Sequence, residues 1–293
     1  MERLLELRGA GRRVSESFSL NDVSLSVAPG EIVGLVGANG AGKTTTIRAI
    51  LGLLRLDAGE LELFGESFGA DAPAVVQRGM RSRVGVVLDA CPFPSDHTVR
   101  RAAACVAPAH PSWSWERFDE LTHAYGLDQK AKVRDLSRGM GMKLQLACAL
   151  AHDADLLLLD EATAGLDPIA RDEVLDDLRS FVGERERGVL LSTHITSDLE
   201  RIADRVVAME HGAVAFDLPR EAITDEAGLV KCSVEQARQV LACVEGARLR
   251  SRAYCAEVLV SDRFAFAEAF PELPCERTSI DDYLHFYLEE DNR

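Results

Sequence analysis

Residues 31–45 read EIVGLVGANGAGKTT. Glu31–Gly37 is short and aliphatic, the pattern of a strand buried on both faces. The next residues, Gly37-Ala38-Asn39-Gly40-Ala41-Gly42-Lys43-Thr44, fit G-x-x-x-x-G-K-[ST], and the sequence from Thr44 to about Leu54 has helical period. Strand, glycine loop and helix in that order are the context in which this spacing builds a phosphate loop. Glycines let the backbone curl so that successive N–H groups face phosphate oxygens. The helix N-terminus adds partial positive charge. Lys43 is placed to reach the β- and γ-phosphates, the Thr44 hydroxyl to ligate Mg²⁺, and Thr45 to meet the α-phosphate.

A loop of this kind predicts an NTPase and a carboxylate partner for its metal. The partner is expected in LLLLDEAT, residues 156–163. Leu156–Leu159 reads as a strand covered on both faces, and Asp160 and Glu161 leave its carboxyl end, where open α/β sheets place their ligand crevice. Asp160 is then the Mg²⁺-side carboxylate. Glu161 is positioned to polarise an attacking water as general base.

Around these two stretches the periodicity alternates between strand and helix. Strands are predicted over 20–27, within 56–66, over 84–88, at 189–192, and as a hairpin of 206–209 with 213–216 about His211-Gly212. Residues 90–150 are helix-rich and punctuated by Pro92, Pro94, Pro108 and Pro111, which reads as an insertion. After Pro219 comes a small α/β unit, with strands at 228–234 and 253–260 and helices at 235–244, 263–270 and 279–290. Thr278 and Asp281 are spaced like a capping box for the last helix.

Composition narrows the class. Lys+Arg number 33 and Asp+Glu 48, a formal net charge of −15, which disfavours a large nucleic-acid footprint. No apolar run approaches the roughly 20 residues needed to span a bilayer. The N-terminus MERLLELRGAGRR lacks the features of a signal peptide, so a cytosolic chain is expected. The seven cysteines form no C-x-x-C pair and read as reduced core residues.

Taken together the motifs resemble the ATP-binding subunits of ABC transporters over about residues 1–218. GANGAGKTT resembles Walker A and LLLLDEAT Walker B. LSRGM (136–140) stands where the family carries its LSGGQ signature. AGLDP (164–168) resembles the D-loop, with Asp167, and STHITSDLE (192–200) the switch region, with His194. The resemblance implies an α/β, P-loop NTPase core with an antiparallel β subdomain and a helical insertion at about 90–150, followed by a small C-terminal extension at 219–293. It implies ATP and Mg²⁺ as ligands and Glu161 and His194 as catalytic residues, with His194 at the γ-phosphate. Gly37, Asn39, Gly40, Ala41, Gly42, Lys43, Thr44, Thr45, Asp89, Ser137, Gly139 and Asp167 would bind nucleotide. Thr44, Asp89 and Asp160 would serve the metal. Two such subunits, identical or different, would pack head to tail on two ATP molecules. Ser137 and Gly139 would then face the partner's γ-phosphate. A separately encoded multi-span permease would carry the substrate, with this subunit at the inner face of the membrane. The similarity is strongest to bacterial exporter subunits. The alternative is a soluble ATPase of the same family acting on ribosomes or DNA.

Three departures qualify the resemblance. Asp89 stands where the Q-loop glutamine is usual, and still offers oxygen to Mg²⁺ or water. Arg138 and Met140 replace a glycine and a glutamine of the signature, and both are expected to point away from phosphate. No aromatic lies in Arg12–Glu16 to stack on adenine, leaving an arginine face for that role, with Phe18 expected in the core. In the insertion, Trp113 and Trp115 are either partner anchors or packing for the insertion's own core. Cys91-Pro92-Phe93-Pro94, directly after Asp89, has the better claim to a partner contact.

Overall fold

The computed structural model describes residues 3–69, 73–184, 186–251 and 255–288. It opens with an antiparallel pair, β1 (Leu5–Arg13) and β2 (Ser19–Val27), in which Leu5, Leu7, Leu20, Val23, Leu25 and Val27 turn inward. The alternation breaks in β1 after Leu7, where the register shifts around Gly9 and Gly11. Next come β3 (Ile32–Val36), with every residue buried, and α1 (Lys43–Ile50). Strands β4 (Ala58–Leu63) and β5 (Glu66–Ser67) join the first pair, giving the antiparallel order β2-β1-β4-β5 among the described residues. This is the expected antiparallel β subdomain. Strand β1 and helix α2 (Ala74–Ser82) were not read from the sequence.

The chain re-enters the core at β6 (Val84–Val87). It then forms α3 (Val99–Val106), α4 (Trp115–Ala124) and α5 (Arg138–Leu150), the helices of the insertion. Each starts at a hydroxyl N-cap: Thr98, Ser114 and Ser137 accept from a backbone N–H three residues on. Trp113 and Trp115 pack on Phe118 with ring centroids 5.8 Å away, so both serve the insertion's own core. Then follow β7 (Leu156–Asp160), α6 (Pro168–Glu184), β8 (Gly188–Ser192), α7 (Thr196–Ile202), β9 (Arg205–Glu210) and β10 (Ala213–Pro219).

Among the described residues six strands form the central sheet in the order β10-β9-β3-β8-β7-β6. Strands β9, β3, β8, β7 and β6 run parallel, and β10 closes the edge as the antiparallel arm of the expected hairpin. The register decides where the chemistry falls. Leu35 pairs with Ser192, Ser192 with Asp160, and Leu159 with Val87. The carboxyl ends of β3, β8, β7 and β6 are therefore level along one edge. That edge releases in turn the phosphate loop, His194, Asp160–Glu161 and Asp89.

The remainder is β11 (Gly228–Cys232), α8 (Val234–Cys243), β12 (Arg248–Ser251), β13 (Ala256–Val260), α9 (Arg263–Ala269), β14 (Cys275–Arg277) and α10 (Ile280–Leu288). The antiparallel order β12-β13-β11-β14 with this β-α-β-β-α-β succession is ferredoxin-like. One sheet face has its own core around Val230, Val258, Val240 and Phe266. The other sends Leu229 and Leu259 into the main core together with Ile280 and Phe286 of α10. Helix α10 is tied to α7 by the Ile280 N–H on Glu200 at 2.8 Å, and its Tyr283 and Tyr287 rings lie against Phe216. Its cap is Ser279 with Asp282, one residue beyond the expected Thr278 and Asp281. Residues 253–254 of one expected strand and 289–290 of the last expected helix lie outside the described residues.

Candidate active site

Gly37 turns out of β3 where no side chain fits: a Cβ there would stand 2.3 Å from the Met209 carbonyl oxygen. Gly42 holds the N-cap of α1 at φ 117°, a left-handed conformation that glycine adopts without strain. The curl between them bends the loop over the start of α1. Lys43 is buried there, and its ammonium donates to the Gly37 carbonyl at 2.7 Å. Thr44 and Thr45 follow in the first helical turn, whose N–H groups have no partner within the helix.

Asp160 is buried at the end of β7 and accepts through Oδ1 from the Ser192 hydroxyl at 2.7 Å and the Thr44 hydroxyl at 3.1 Å. Glu161 has a positive φ of 54°, uncommon for a residue with a side chain. Strain of this kind persists only where the surroundings enforce it. Here its N–H donates to the Ser192 carbonyl at 3.0 Å, its Oε1 lies 3.6 Å from Lys43 Nζ, and its Oε2 lies 2.6 Å from His194 Nδ1. The turn re-aims the carboxylate from the strand end into the cleft, between the lysine and the histidine.

A cleft of about 490 Å³ is lined by Ala38, Asn39, Gly40, Gly42, Lys43, Thr44, Thr45, Asp89, Glu161, Ala164 and His194, together with Phe18 and Arg138. One of these extends the sequence reading and one corrects it. Phe18 packs against the core, as expected, and also lies on the cleft wall. The turn between β1 and β2, closed by Val14 and Ser15 N–H donating to the Phe18 carbonyl, swings its ring to within 3.3 Å of where a Gly42 Cβ would be. Arg12 and Arg13 are elsewhere, bound to Asp57 by side chain and backbone respectively. Arg138, expected to point away from phosphate, shares this cleft and pairs with Asp89 at 2.5 Å. Met140 packs against the main core.

Ser137, Gly139 and Asp167 do not line the cleft. Ser137 caps α5, its Oγ accepting from the Met140 N–H at 3.2 Å. Gly139 faces Leu166, whose Cδ2 would be 3.1 Å from a Cβ at that position. Asp167 caps α6, and the Ala170 and Ile169 N–H groups hold its carboxyl below the usual range. The signature stretch and the D-loop thus pack on each other, with Arg138 and Ala164 on the cleft wall and Ser137, Gly139 and Asp167 outside it. Among the described residues no group of three or more His, Cys, Asp and Glu could hold a metal ion alone. The Thr44 hydroxyl and Asp160 carboxylate are hard oxygen donors of the kind that hold Mg²⁺ jointly with substrate phosphates.

Phosphate loop, acidic strand end and histidine on one edge of a parallel sheet define a P-loop ATPase with an inserted helical region. The family described as ABC transporter matches residues 20–164. The chain is 37% identical over 240 residues to the Nod factor export ATP-binding protein I of Paraburkholderia xenovorans (strain LB400), covering 78% of this chain and 75% of that protein. It is 34% identical over 221 residues to the bacitracin transport ATP-binding protein BcrA of Bacillus licheniformis, covering 75% and 71%. A solved ATP-binding subunit of an ABC transporter superposes with a TM-score of 0.67 at 28% identity, covering 75% of this chain and 91% of that one. A dimeric ATP-binding cassette bound to ADP and Pi shares the fold with a TM-score of 0.66 at 21% identity, covering 74% and 98%. The chain belongs to the ABC transporter family, as an ATP-binding subunit and an ATPase. Subunits of this family dimerise and work with a membrane permease. Among the described residues no helix is long and apolar enough to cross a membrane.

Proposed function

We propose that this chain powers export through a separately encoded multi-span permease, at the cytoplasmic face of the membrane, as one of two ATPase subunits closing head to tail on ATP. The observation that carries the reading is the convergence of Lys43, Glu161 and His194 at the cleft, with Glu161 held between the other two. Export rather than uptake is supported by the relative's printed role in Nod factor export. The substrate itself would be selected by the permease. We read residues 1–218 as the ATPase domain and 219–293 as an extension.

Lys43 binds the β- and γ-phosphates, and the Thr44 hydroxyl and Asp160 would hold Mg²⁺ beside them. Bound there, the ion would offset phosphate charge. Glu161 accepts a proton from the attacking water, and His194, hydrogen-bonded to it, orients that carboxylate toward the γ-phosphate. Ser137 and Gly139 serve the partner's nucleotide, which fits their position outside this chain's own cleft. The segment after Asp89 meets the permease. Pro92 and Phe93 line an apolar cleft of about 220 Å³ with Val86, Leu88 and Val106.

Gentle purification from membranes should bring down a multi-span protein with the chain. Consistent recovery in a soluble pool bound to ribosomes or DNA would sink the transport reading. Phe18→Ala should weaken ATP binding about 5- to 100-fold, the range of a lost base–aromatic stack. Affinity for inorganic triphosphate, which has no base, should stay unchanged, and calorimetric titration of both ligands checks the pair.

A further inference from the structure

We propose that Arg138 and Asp89 work as a couple: Arg138 is the positioning counter-charge that holds the Asp89 carboxylate on the cleft wall and offsets it against the triphosphate. The proposal rests on the cleft being the ATP site. It goes further in giving a residue of the signature stretch a task inside its own chain.

Three elements fix the geometry. Asp89 follows Leu88, whose backbone N–H and carbonyl are both held by the Gln145 side chain of α5, at 2.9 and 3.0 Å. Gln145 is buried, so α5 sets the position of the segment leaving β6. Two turns earlier on the same helical face, Arg138 reaches Asp89 Oδ1 at 2.5 Å. The Arg138 stem crosses Gly165 of the D-loop, where a Cβ would stand 3.3 Å from Cδ. Helix α5, the segment after β6 and the loop after β7 therefore meet at one guanidinium.

Charge explains why the couple matters. The charged residues lining the cleft are Lys43, Asp89, Arg138 and Glu161. With Arg138 neutral, Lys43 alone would offset Asp89 and Glu161 where a polyanion must bind. Both members of the pair are more than half exposed, at 54% and 56%, so the pair itself adds little to folding stability. Its effect belongs to nucleotide affinity.

The test uses the full chain, with steady-state ATP hydrolysis and titration of a fluorescent ATP analogue. Arg138→Gln should raise KM and Kd about tenfold, the scale of one uncompensated charge near a phosphate, with kcat changed less than about threefold. In an Asp89→Asn background the same Arg138→Gln change should move KM and Kd by less than about twofold, because the counter-charge then has no carboxylate left to offset. The thermal midpoint should stay at the parent's value in each variant. Parental affinity in Arg138→Gln would overturn the proposal, reducing the pair to a passive surface contact. An Arg138→Gln defect of undiminished size in the Asp89→Asn background would overturn it too, since Arg138 would then act on the nucleotide without Asp89. Failure of the site reading looks different: Lys43→Ala would leave ATP affinity intact, whereas failure of the couple alone leaves Lys43→Ala defective.

Discussion

Glu161→Gln is expected to lower turnover by about 10²- to 10⁴-fold while leaving ATP bound, the range for removing a general base. The substitution keeps the shape of the side chain and its capacity to accept from Lys43 and to bond His194, at 3.6 and 2.6 Å from the carboxylate in the parent. The backbone at φ 54° is enforced by the Ser192 carbonyl rather than by the side chain, so the turn should survive. What is lost is basicity. ATP would then remain uncleaved and hold two subunits together, and light scattering after gel filtration should find a dimer with ATP and a monomer without it. Undiminished hydrolysis by a chain that stays monomeric with ATP would show that Glu161 is not the base.

The residues behind this prediction were legible because their signals are local. Strand, glycine loop, lysine and helix lie within Ile32–Ile50, and Asp160–Glu161 directly follows a short aliphatic run of the kind a covered strand carries. Level strand ends then convert sequence order into a site, which is why His194 falls beside Glu161 although 33 residues separate them. Features that depend on side-chain reach across elements were not legible. The Asp89–Arg138 pair spans 49 positions, and each member alone looked like a separate departure from a motif. Phe18 was read as core packing alone, because its second place, on the cleft wall, depends on the geometry of the β1–β2 turn. Strand β1 was not read because Gly9 and Gly11 interrupt its alternation, and its register shifts there. Strands β12 and β14 have four and three residues, too few to show a period of two.

Gly139→Asp should abolish turnover, by at least about 10²-fold, the scale for a lost phosphate-stabilising contact, while ATP binding by the isolated chain stays within about twofold of the parent. The local structure can accept the change. The atom a new Cβ would meet, at 3.1 Å, is the end of the Leu166 side chain, which can shift, and Gly139 lies in the first turn of α5, where a carboxylate is favourable. The fold should therefore stand, and the cost should fall on whatever approaches Gly139 from outside. Neither Gly139 nor Ser137 lines the cleft that contains Lys43, so a carboxylate at 139 would not be among the walls of this chain's own cleft. It would instead confront the γ-phosphate brought by a second subunit, where a bare N–H had been offered. ATP-dependent dimerisation should be lost together with turnover. Gly139→Ala is the steric control: it adds the same Cβ without charge and should keep most of the dimerisation. Equal losses of ATP binding and turnover in the isolated Gly139→Asp chain would mean that LSRGM serves its own nucleotide. Loss confined to the paired state would mean that each subunit completes its neighbour's site.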